Sequence, residues 1–200
     1  TTEIYTLSLH DALPIYVLNT LAAVAVGMEL DLDFEIIANS LLQFEGVQRR
    51  FEIVKQSDEL TLIDDYGHHP VEIKASLKTA KEIWPTSRLI VIFQPHRYSR
   101  TKSLMKDFWS AFNDADHLFV MDIFSAGESP LDKVHASTIV EGARECGHKN
   151  AKYIKSQNDL NKELHSLAKH GDVLMTLGAG DVWRLGRDFL VARFSQKTNY

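Results

Sequence analysis

The sequence predicts an α/β protein with a mostly parallel sheet and helices on both faces. From residue 51 onward, short apolar runs alternate with longer segments whose apolar residues recur at helical spacing. One run, residues 89–93, is apolar at all five positions, as in a strand buried on both faces. Strands that alternate with helices of this length are joined by right-handed crossovers, which makes neighbouring strands parallel.

Two helices are predicted before the alternating region. Residues 19–28 are rich in Ala, Leu and Val, and we expect their helix to end at Gly27. Residues 33–42 again carry apolar side chains at helical spacing, and residues 44–51 follow as a connector. The apolar surface of this pair has no obvious partner in the sequence, which indicates a helical remnant of a preceding domain.

The alternating region itself divides into strands and helices. We predict strands at residues 51–54, 60–63, 89–93, 117–123, 152–154 and 173–177, and helices at 71–84, 101–115, 137–146, 159–170 and 182–194. Pro85 ends the first of these helices because proline cannot continue a helix. Gly147 and Gly171 mark two further helix ends.

The composition limits the classes of partner. A net charge of -5 argues against nucleic acid, because binding it usually needs a basic face. Cys146 is the one cysteine, so no internal disulfide forms, which fits a reducing cytoplasm. No apolar run reaches the roughly 18 residues of a membrane span, so no membrane partner is expected. A chain of 200 residues suits one domain, or one domain with part of another.

The first fifteen residues resemble a sequencing artefact. TTEIYTLSLHDALPI matches the conceptual translation of a widely used short-read adapter over the whole stretch. Residues 1–15 are therefore expected to be adapter-derived and to carry no information about fold or function. The natural sequence would begin near Tyr16, and the chain would be truncated at that point.

Residues 64–70, DDYGHHP, hold two acids, a phenol and two imidazoles directly after an apolar strand. Ligands of open α/β sheets bind beyond the carboxyl ends of strands. A carboxylate beside an imidazole can bind a metal, hold a ribose hydroxyl or transfer a proton. The alternative is a polar turn that caps the next helix, with Pro70 in its first turn. A cap alone does not need so many titratable groups, so the pattern favours a functional site.

A second polar segment follows the strand at residues 89–93. His96, Arg97 and Arg100 lie at the junction with the next helix, where two guanidiniums can converge on one anion. Arginine grips a carboxylate with two hydrogen bonds, and a helix N-terminus would add attraction. The alternative is a solvated basic surface. We expect this cluster and residues 64–70 to face one hollow, because both follow strands of one sheet.

Two further motifs leave their alternatives open. Arg49 and Arg50 precede the first strand and would either reach a nucleotide phosphate or form a structural salt bridge. Residues 178–181, GAGD, would either let backbone amides approach an anion or let a helix pack closely on the sheet. No phosphate-binding loop of the GxxxxGK[ST] type and no zinc-ligand spacing is present, and we assign no metal site to this chain.

Together these motifs resemble the Mur ligases, in particular their alanine-adding branch. The matching segments are VLN at 17–19, FEGVQRRF at 44–51, DDYGHHP at 64–70, FQPHRYSRT at 93–101, AGESP at 126–130 and GAGD at 178–181. The resemblance implies that residues 16–48 end the central ATPase domain and residues 49–200 form a Rossmann-like C-terminal domain. Ile15 and Tyr16 depart from the family's His-Asn pair, which leaves its adenine contact undefined.

The resemblance also implies an activity. Such a ligase uses ATP to convert the carboxylate of UDP-N-acetylmuramate into an acyl phosphate, which L-alanine then attacks. The Mg²⁺ ligands, the phosphate-binding loop and the family's modified lysine would lie upstream, in the missing N-terminal and central domains. The reaction belongs to peptidoglycan synthesis, and so to cell-wall biogenesis, cell shape and cell division.

Roles for individual residues follow from the same resemblance. His96, Arg97 and Arg100 would hold the alanine carboxylate. Asp65 would hold the ATP ribose, and Arg50, or Arg49, would meet the ATP phosphates. Tyr66 and His68 would lie near the reacting groups as catalytic residues.

Two other functions stay open. One is a Mur-type ligase that adds a different amino acid. The other is a stand-alone Rossmann-like module that binds a nucleotide or another anion without an upstream domain. Because the phosphate-binding loop is absent, we expect the isolated chain to show no ligase or ATPase turnover.

Overall fold

The computed structural model describes residues 14–44 and 47–195. The predicted adapter segment therefore lies almost wholly outside the described residues, as do residues 45 and 46 of the connector. The chain forms two compact units, Thr1–Val47 and Gln48–Tyr200.

The smaller unit contains helices α1 (Pro14–Glu29) and α2 (Phe34–Leu42). The Asp33 side chain caps α2 by accepting a hydrogen bond from the backbone N of Glu35, at 2.8 Å. The prediction that α1 ends at Gly27 is wrong, since the helix continues to Glu29. A Cβ at Gly27 would lie 2.7 Å from Cδ1 of Ile37, so this glycine allows the two helices to approach closely instead of ending one of them.

The larger unit is built on one six-stranded sheet. Its strands are β1 (Glu52–Lys55), β2 (Leu60–Asp65), β3 (Leu89–Phe93), β4 (His117–Val120), β5 (Ala151–Tyr153) and β6 (Asp172–Leu177). Their order across the sheet is β1-β2-β6-β3-β4-β5. The β1–β2 pair is antiparallel and the other four pairs are parallel, which confirms the predicted α/β class with a mostly parallel sheet.

Helices cover both faces of this sheet, as predicted. They are α3 (Pro70–Ile83), α4 (Tyr98–Ser103), α5 (Met105–Trp109), α6 (Ala136–Glu145), α7 (Gln157–Leu167) and α8 (Val182–Ser195). One core joins the sheet to α3, α5 and α6 through buried residues such as Leu77, Phe108 and Ile139. The second core joins the opposite face to α7 and α8 through Leu164 and Phe189. None of the helices that the structure describes is both long and apolar enough to cross a membrane.

The single helix predicted at residues 101–115 is wrong, because the structure has two short helices, α4 and α5, that meet at Leu104. Leu104 has φ -109° and ψ 13°, outside the helical region. The hydroxyl of Thr101 donates to the carbonyl of Arg97 at 2.8 Å, a side-chain bond that competes with regular helix geometry. The apolar side chains whose spacing predicted one helix are divided between two short helices, and Phe108 is buried in the core.

Strand β4 ends at Val120, three residues before its predicted end. The chain then turns back towards the loop after β3, where Phe124 forms an isolated parallel bridge with His96. The backbone N of Phe124 donates to the carbonyl of Pro95, and the backbone N of Arg97 donates to the carbonyl of Phe124, each at 2.8 Å. The loop after β4 is thereby attached to the polar loop after β3.

Candidate functional site

The loops after β2 and β3 meet at the carboxyl edge of the sheet. The ring centroids of His68 and His96 lie 5.8 Å apart, so the two polar segments adjoin each other. The two strands are not neighbours, however, since β6 lies between them and pairs with both. Three strand ends therefore meet at this edge, with the loop after β6 in the middle, and a common hollow between the two polar segments stays a prediction.

The two aspartates at the end of β2 are buried and internally bonded. The Asp65 carboxylate accepts from the backbone N of Gly67 and from the hydroxyl of Ser76, both at 2.7 Å. Burial raises the pKa of Asp65, although both hydrogen bonds act to lower it. Asp64 accepts from the hydroxyl of Thr176 at 2.7 Å and from Arg49. Both acids therefore shape the loop, and the ribose contact of Asp65 stays a prediction.

The alternative interpretation of residues 64–70, a polar turn that caps the next helix, is correct for part of the loop. The Nδ1 atom of His69 accepts from the backbone N of Val71, and Pro70 occupies the first turn of α3. The Glu72 carboxylate accepts from the backbone N of both His68 and His69 at 3.0 Å. Burial acts to raise the pKa of Glu72, but these two hydrogen bonds outweigh it, and the pKa is lowered. His69 and Glu72 thus complete a capping box, and the ring of His68 takes no part in this cap.

Tyr66 lies beside both arginines that precede β1. The guanidinium carbons of Arg49 and Arg50 stand 5.1 and 5.2 Å from the centroid of its ring. Arg49 also donates from Nε to Asp64 at 3.0 Å and from Nη2 to the carbonyl of Gly178 at 2.6 Å. Of the two alternatives for these arginines, a phosphate contact or a structural salt bridge, the salt bridge applies to Arg49. Arg50 is exposed, which makes its guanidinium the one open to an incoming anion.

His96 is held from two sides. Its ring stacks on Phe124 with an interplanar angle of 9° and a centroid distance of 5.6 Å. Arg100 approaches from the other direction, with Nη1 3.1 Å from Nδ1 of His96. Burial, followed by the nearby charge of Arg100, lowers the pKa of His96, so the ring is neutral near neutral pH.

Arg97 is exposed and has an uncommon backbone conformation for a non-glycine residue, with φ 68° and ψ 136°. Such conformations persist only where surrounding contacts impose them, and they cluster at functional sites. The N-terminus of α4, which we expected to attract a ligand anion, is already occupied by a carboxylate of the chain. Glu128 accepts from the backbone N of Ser99 at 2.9 Å and from its hydroxyl at 2.6 Å.

The GAGD turn packs closely against the loop after β3. Gln94 donates from Nε2 to Asp181 and accepts from the backbone N of Asp181, both at 3.1 Å. A Cβ at Gly180 would overlap Oε1 of Gln94 and lie 2.8 Å from Cγ of Phe124. A Cβ at Gly178 would lie 2.7 Å from the Gln94 carbonyl. Close packing, one of the two alternatives for this motif, therefore accounts for these glycines.

The sequence assigned no role to four residues of the site, which are Glu72, Gln94, Phe124 and Glu128. Gln94 and Glu128 lie in segments that carry the family resemblance, but neither was named as a site residue. Phe124 could have been found by applying the strand-end rule to β4 as well, since it follows that strand by four positions. Glu72 lies three residues after His69, the spacing of a capping box, although histidine is not the usual first residue of that motif.

Cavities elsewhere do not include the His68–His96 cluster. One of about 330 Å³ lies at the start of β4 and β5 and is lined by His117, Arg144 and Lys152 among others. Another of about 140 Å³ lies beside Tyr98 and Asp122. Among residues 14–44 and 47–195, no group of three or more His, Cys, Asp or Glu side chains could hold a metal ion.

The fold and the cluster define an α/β domain that gathers cationic and imidazole groups at one edge of its sheet. A family model described as "Mur ligase, glutamate ligase domain" matches residues 49–180. The chain therefore belongs to the Mur ligase family.

Relatives of known name agree with this family. The chain is 48% identical over 172 residues to the UDP-N-acetylmuramate–L-alanine ligase of Desulfosudis oleivorans, a match that covers 86% of this chain and 38% of the relative. It is 47% identical over 175 residues to the enzyme of the same name from Geobacter sp., covering 88% of this chain and 38% of the relative. The chain thus spans little more than a third of the length of these relatives.

A solved structure shows the same fold. The UDP-N-acetylmuramate–alanine ligase of Thermotoga maritima superposes with a TM-score of 0.77 at 29% sequence identity. The match covers 92% of this chain and 39% of the Thermotoga maritima protein.

Proposed function

We propose that this chain supplies the amino-acid-binding domain of an ATP-dependent ligase that joins L-alanine to UDP-N-acetylmuramate in the bacterial cytoplasm. The observation that carries the proposal is the 5.8 Å approach of His68 and His96, which joins the two polar loops into one site. The names and the 46–48% identity of several relatives support this substrate pair.

The cationic side of the cluster fits the carboxylate of an amino acid. Arg97 is exposed, and Arg100 is tied to His96 at 3.1 Å through one of its guanidinium nitrogens. A guanidinium has five donor positions, so Arg100 keeps further donors for a ligand. In a protected cleft such charge-assisted bonds are about twice as strong as neutral ones. We assign the grip on the amino-acid carboxylate to His96, Arg97 and Arg100.

The side of the cluster formed by Arg50, Tyr66 and Asp65 fits a nucleotide. Arg50 stands over the Tyr66 ring without a hydrogen bond recorded in the described part of the chain, which suits a contact with ATP phosphates. Asp65 accepts two internal hydrogen bonds, and its carboxylate keeps further acceptor positions for a ribose hydroxyl. Tyr66 and His68 lie between the cationic side and the nucleotide side of the cluster, and we assign them a place beside the reacting amine and acyl groups.

The chemistry proposed for the whole ligase is activation of the muramate carboxylate as an acyl phosphate, followed by attack of the L-alanine amine. ATP supplies the phosphoryl group, and Mg²⁺ neutralises phosphate charge when it is bound. The described residues offer no acidic cluster for that metal, so this chain's contribution is to position the amino acid and exclude water.

A chimaeric enzyme tests the proposal directly. Residues 48–195 would replace the matching segment of the Thermotoga maritima ligase, and phosphate release would be measured with ATP, UDP-N-acetylmuramate and single amino acids. We expect L-alanine to support the fastest turnover. A preference for another amino acid would favour a different amino-acid-adding ligase, and tight dinucleotide binding by the unmodified chain would favour the stand-alone module.

A further inference from the structure

The amino edge of the sheet, opposite the His68–His96 cluster, holds a cavity of about 330 Å³. Its wall on the sheet side comes from the starts of β4 and β5, and α7 forms the wall that faces them. Strands rise by about 3.3 Å per residue, so the five residues of β3 place the two edges of the sheet roughly 15 Å apart. The cavity therefore does not adjoin the cluster, and its volume is that of a small-molecule site.

The described residues that line this cavity carry more positive than negative charge. Arg144, Lys149 and Lys152 are the cations, and Glu163 is the one acid. The whole chain has the opposite balance, with 22 Lys and Arg against 27 Asp and Glu. A concave surface lined mainly by one sign of charge concentrates ions of the other sign, so this cavity attracts anions although the protein is acidic.

The acids whose charge acts on His117, which also lines the cavity, are already paired. Asp172 accepts two hydrogen bonds from Arg88, at 2.9 and 2.6 Å. Asp116 lies 2.6 Å from Nζ of Lys81. Burial, followed by the charge of Arg88, lowers the pKa of His117, so its ring is neutral near neutral pH. The positive charge of the cavity therefore comes from its arginine and lysines, which stay ionised across the physiological pH range.

Arg144 is held in place by the backbone of β5. Its Nε and Nη2 atoms both donate to the carbonyl of Ala151, at 3.0 and 2.7 Å. Strand β5 lies at the edge of the sheet, so the guanidinium bonds to the backbone of a strand that has a neighbour on one side alone. A guanidinium has five donor positions, and Nη1 of Arg144 keeps both of its own for a ligand. Arg144 is thus a fixed cation with donors to spare.

The two lysines are available to an incoming anion. Nζ of Lys152 lies 2.8 Å from Glu163 on α7, and their side chains are 52% and 35% exposed. An ion pair this exposed contributes little to stability, so a ligand anion can replace Glu163 at small cost. Lys149 is exposed, and within the described ranges no hydrogen bond of its side chain is recorded.

Part of the cavity wall is apolar. Phe119 and Ala151 are buried at its base, and Leu167 of α7 is partly exposed beside them. A bare inorganic anion gains nothing from such a wall, whereas an anion that carries a carbon group would bury apolar surface there.

We propose that this cavity binds a small organic phosphate, with the phosphate group among Arg144, Lys149 and Lys152 and the carbon group against Leu167. A phosphate monoester carries nearly two negative charges near neutral pH, so three cations suit it better than they suit a carboxylate. Arginine offers phosphate a two-point contact, and the lysines add mobile point charges. The site is independent of the proposed function, because none of its residues belongs to the His68–His96 cluster.

Nuclear magnetic resonance titration of the full chain with phenyl phosphate tests the site. We expect the ring signals of His117 and the backbone signals of Lys149 and Lys152 to shift, while the ring signals of His68 and His96 stay in place. Shifts at His68 and His96 without one at His117 would place the anion at the carboxyl edge and overturn the proposal. The absence of any shift up to about 10 mM phenyl phosphate would overturn it as well.

Two simpler probes separate the parts of the ligand. Inorganic phosphate lacks the carbon group, and benzoate has a single carboxylate in place of the phosphate. We expect each to bind about tenfold more weakly than phenyl phosphate, because each loses one of the two kinds of contact. Inorganic phosphate that binds as tightly as phenyl phosphate would overturn the apolar contact, and benzoate that does so would overturn the preference for phosphate.

Charge variants test the residues of the site. Lys149→Gln removes an exposed cation and should weaken phenyl phosphate binding by about tenfold, the loss of one charge-assisted bond. Glu163→Gln removes the opposing acid and should strengthen binding by about twofold to fivefold. Lys162→Gln is the matched control, because Lys162 also lies on α7 but pairs with Asp159 at 3.6 Å outside the cavity lining. Unchanged binding in both Lys149→Gln and Glu163→Gln, or an equal loss in Lys162→Gln, would overturn the proposal.

Discussion

The guanidinium of Arg49 and the carboxylate of Asp64 form an ion pair of 3.0 Å in which Asp64 is 2% exposed and Arg49 is 22% exposed. The second Asp64 oxygen accepts from Thr176 on β6, and Nη2 of Arg49 donates to the carbonyl of Gly178 just beyond that strand. The pair thereby connects the segment before β1, the end of β2 and the end of β6. A buried carboxylate that loses its partner is costly, whereas an exposed pair contributes little.

Arg49→Ala should therefore destabilise the larger unit by roughly 2 kcal/mol, between the values for buried and surface pairs. Arg187→Ala is the matched control, because Arg187 and Glu52 also lie 3.0 Å apart but are 43% and 28% exposed. We expect the control to cost less than about 1 kcal/mol. Urea denaturation measures both, and equal losses would show that burial of Asp64 does not govern the strength of the pair.

Arg97→Lys, introduced into the chimaeric ligase, should raise the Michaelis constant for L-alanine by about tenfold and leave that for ATP nearly unchanged. The reason is that a two-point grip on a carboxylate becomes a single point charge. Arg184→Lys, an exposed arginine that stacks on Trp183, is the control and should change neither constant. Equal effects of Arg97→Lys on both substrates would argue against its assignment to the carboxylate.

Gly180→Ala should lower the stability by about 1–3 kcal/mol, the usual cost of forcing an extra carbon into a packed region. The new Cβ would overlap Oε1 of Gln94 and lie 2.8 Å from Cγ of Phe124. Combining it with Gln94→Ala removes the closer contact, so the double variant should lose less than the sum of the two single changes. Thermal unfolding of all four proteins measures this coupling, and strict additivity would contradict it.

Asp65→Asn should change how stability depends on pH. Because burial raises the pKa of Asp65 in the folded protein, the folded state holds its proton at pH values where the unfolded state has released it. The contribution of Asp65 therefore falls as pH rises from the unfolded value of 3.8 through the raised folded value, and the penalty is complete above it.

The asparagine variant lacks this penalty, since its amide can still accept from Gly67 and donate towards Ser76. The difference in unfolding free energy between Asp65→Asn and the unmodified chain should therefore increase with pH across this window. Denaturant titrations between pH 4 and pH 7 would reveal it. A difference that does not change with pH would mean that the pKa of Asp65 is the same in the folded and unfolded states.

The general architecture was predictable because periodicity is a local property. The fully apolar run at residues 89–93 marked β3, and the strand-end rule selected both loops that meet at His68 and His96. The position of β6 between β2 and β3 was not predictable, because it pairs with residues 112 positions earlier in β2 and 84 positions earlier in β3, and such pairing leaves no local trace. The stack of Phe124 on His96 likewise depends on a contact between segments that are separate in the chain.

The central position of β6 has a consequence for biosynthesis. Strands β2 and β3 are both synthesised before β6, and both pair with it. A nascent chain that ends before residue 172 lacks a strand in the middle of its sheet, so we expect the imidazole pair to have no complete platform until β6 has left the ribosome. Chains arrested at successive lengths, before and after residue 177, would show whether binding competence arises with this strand.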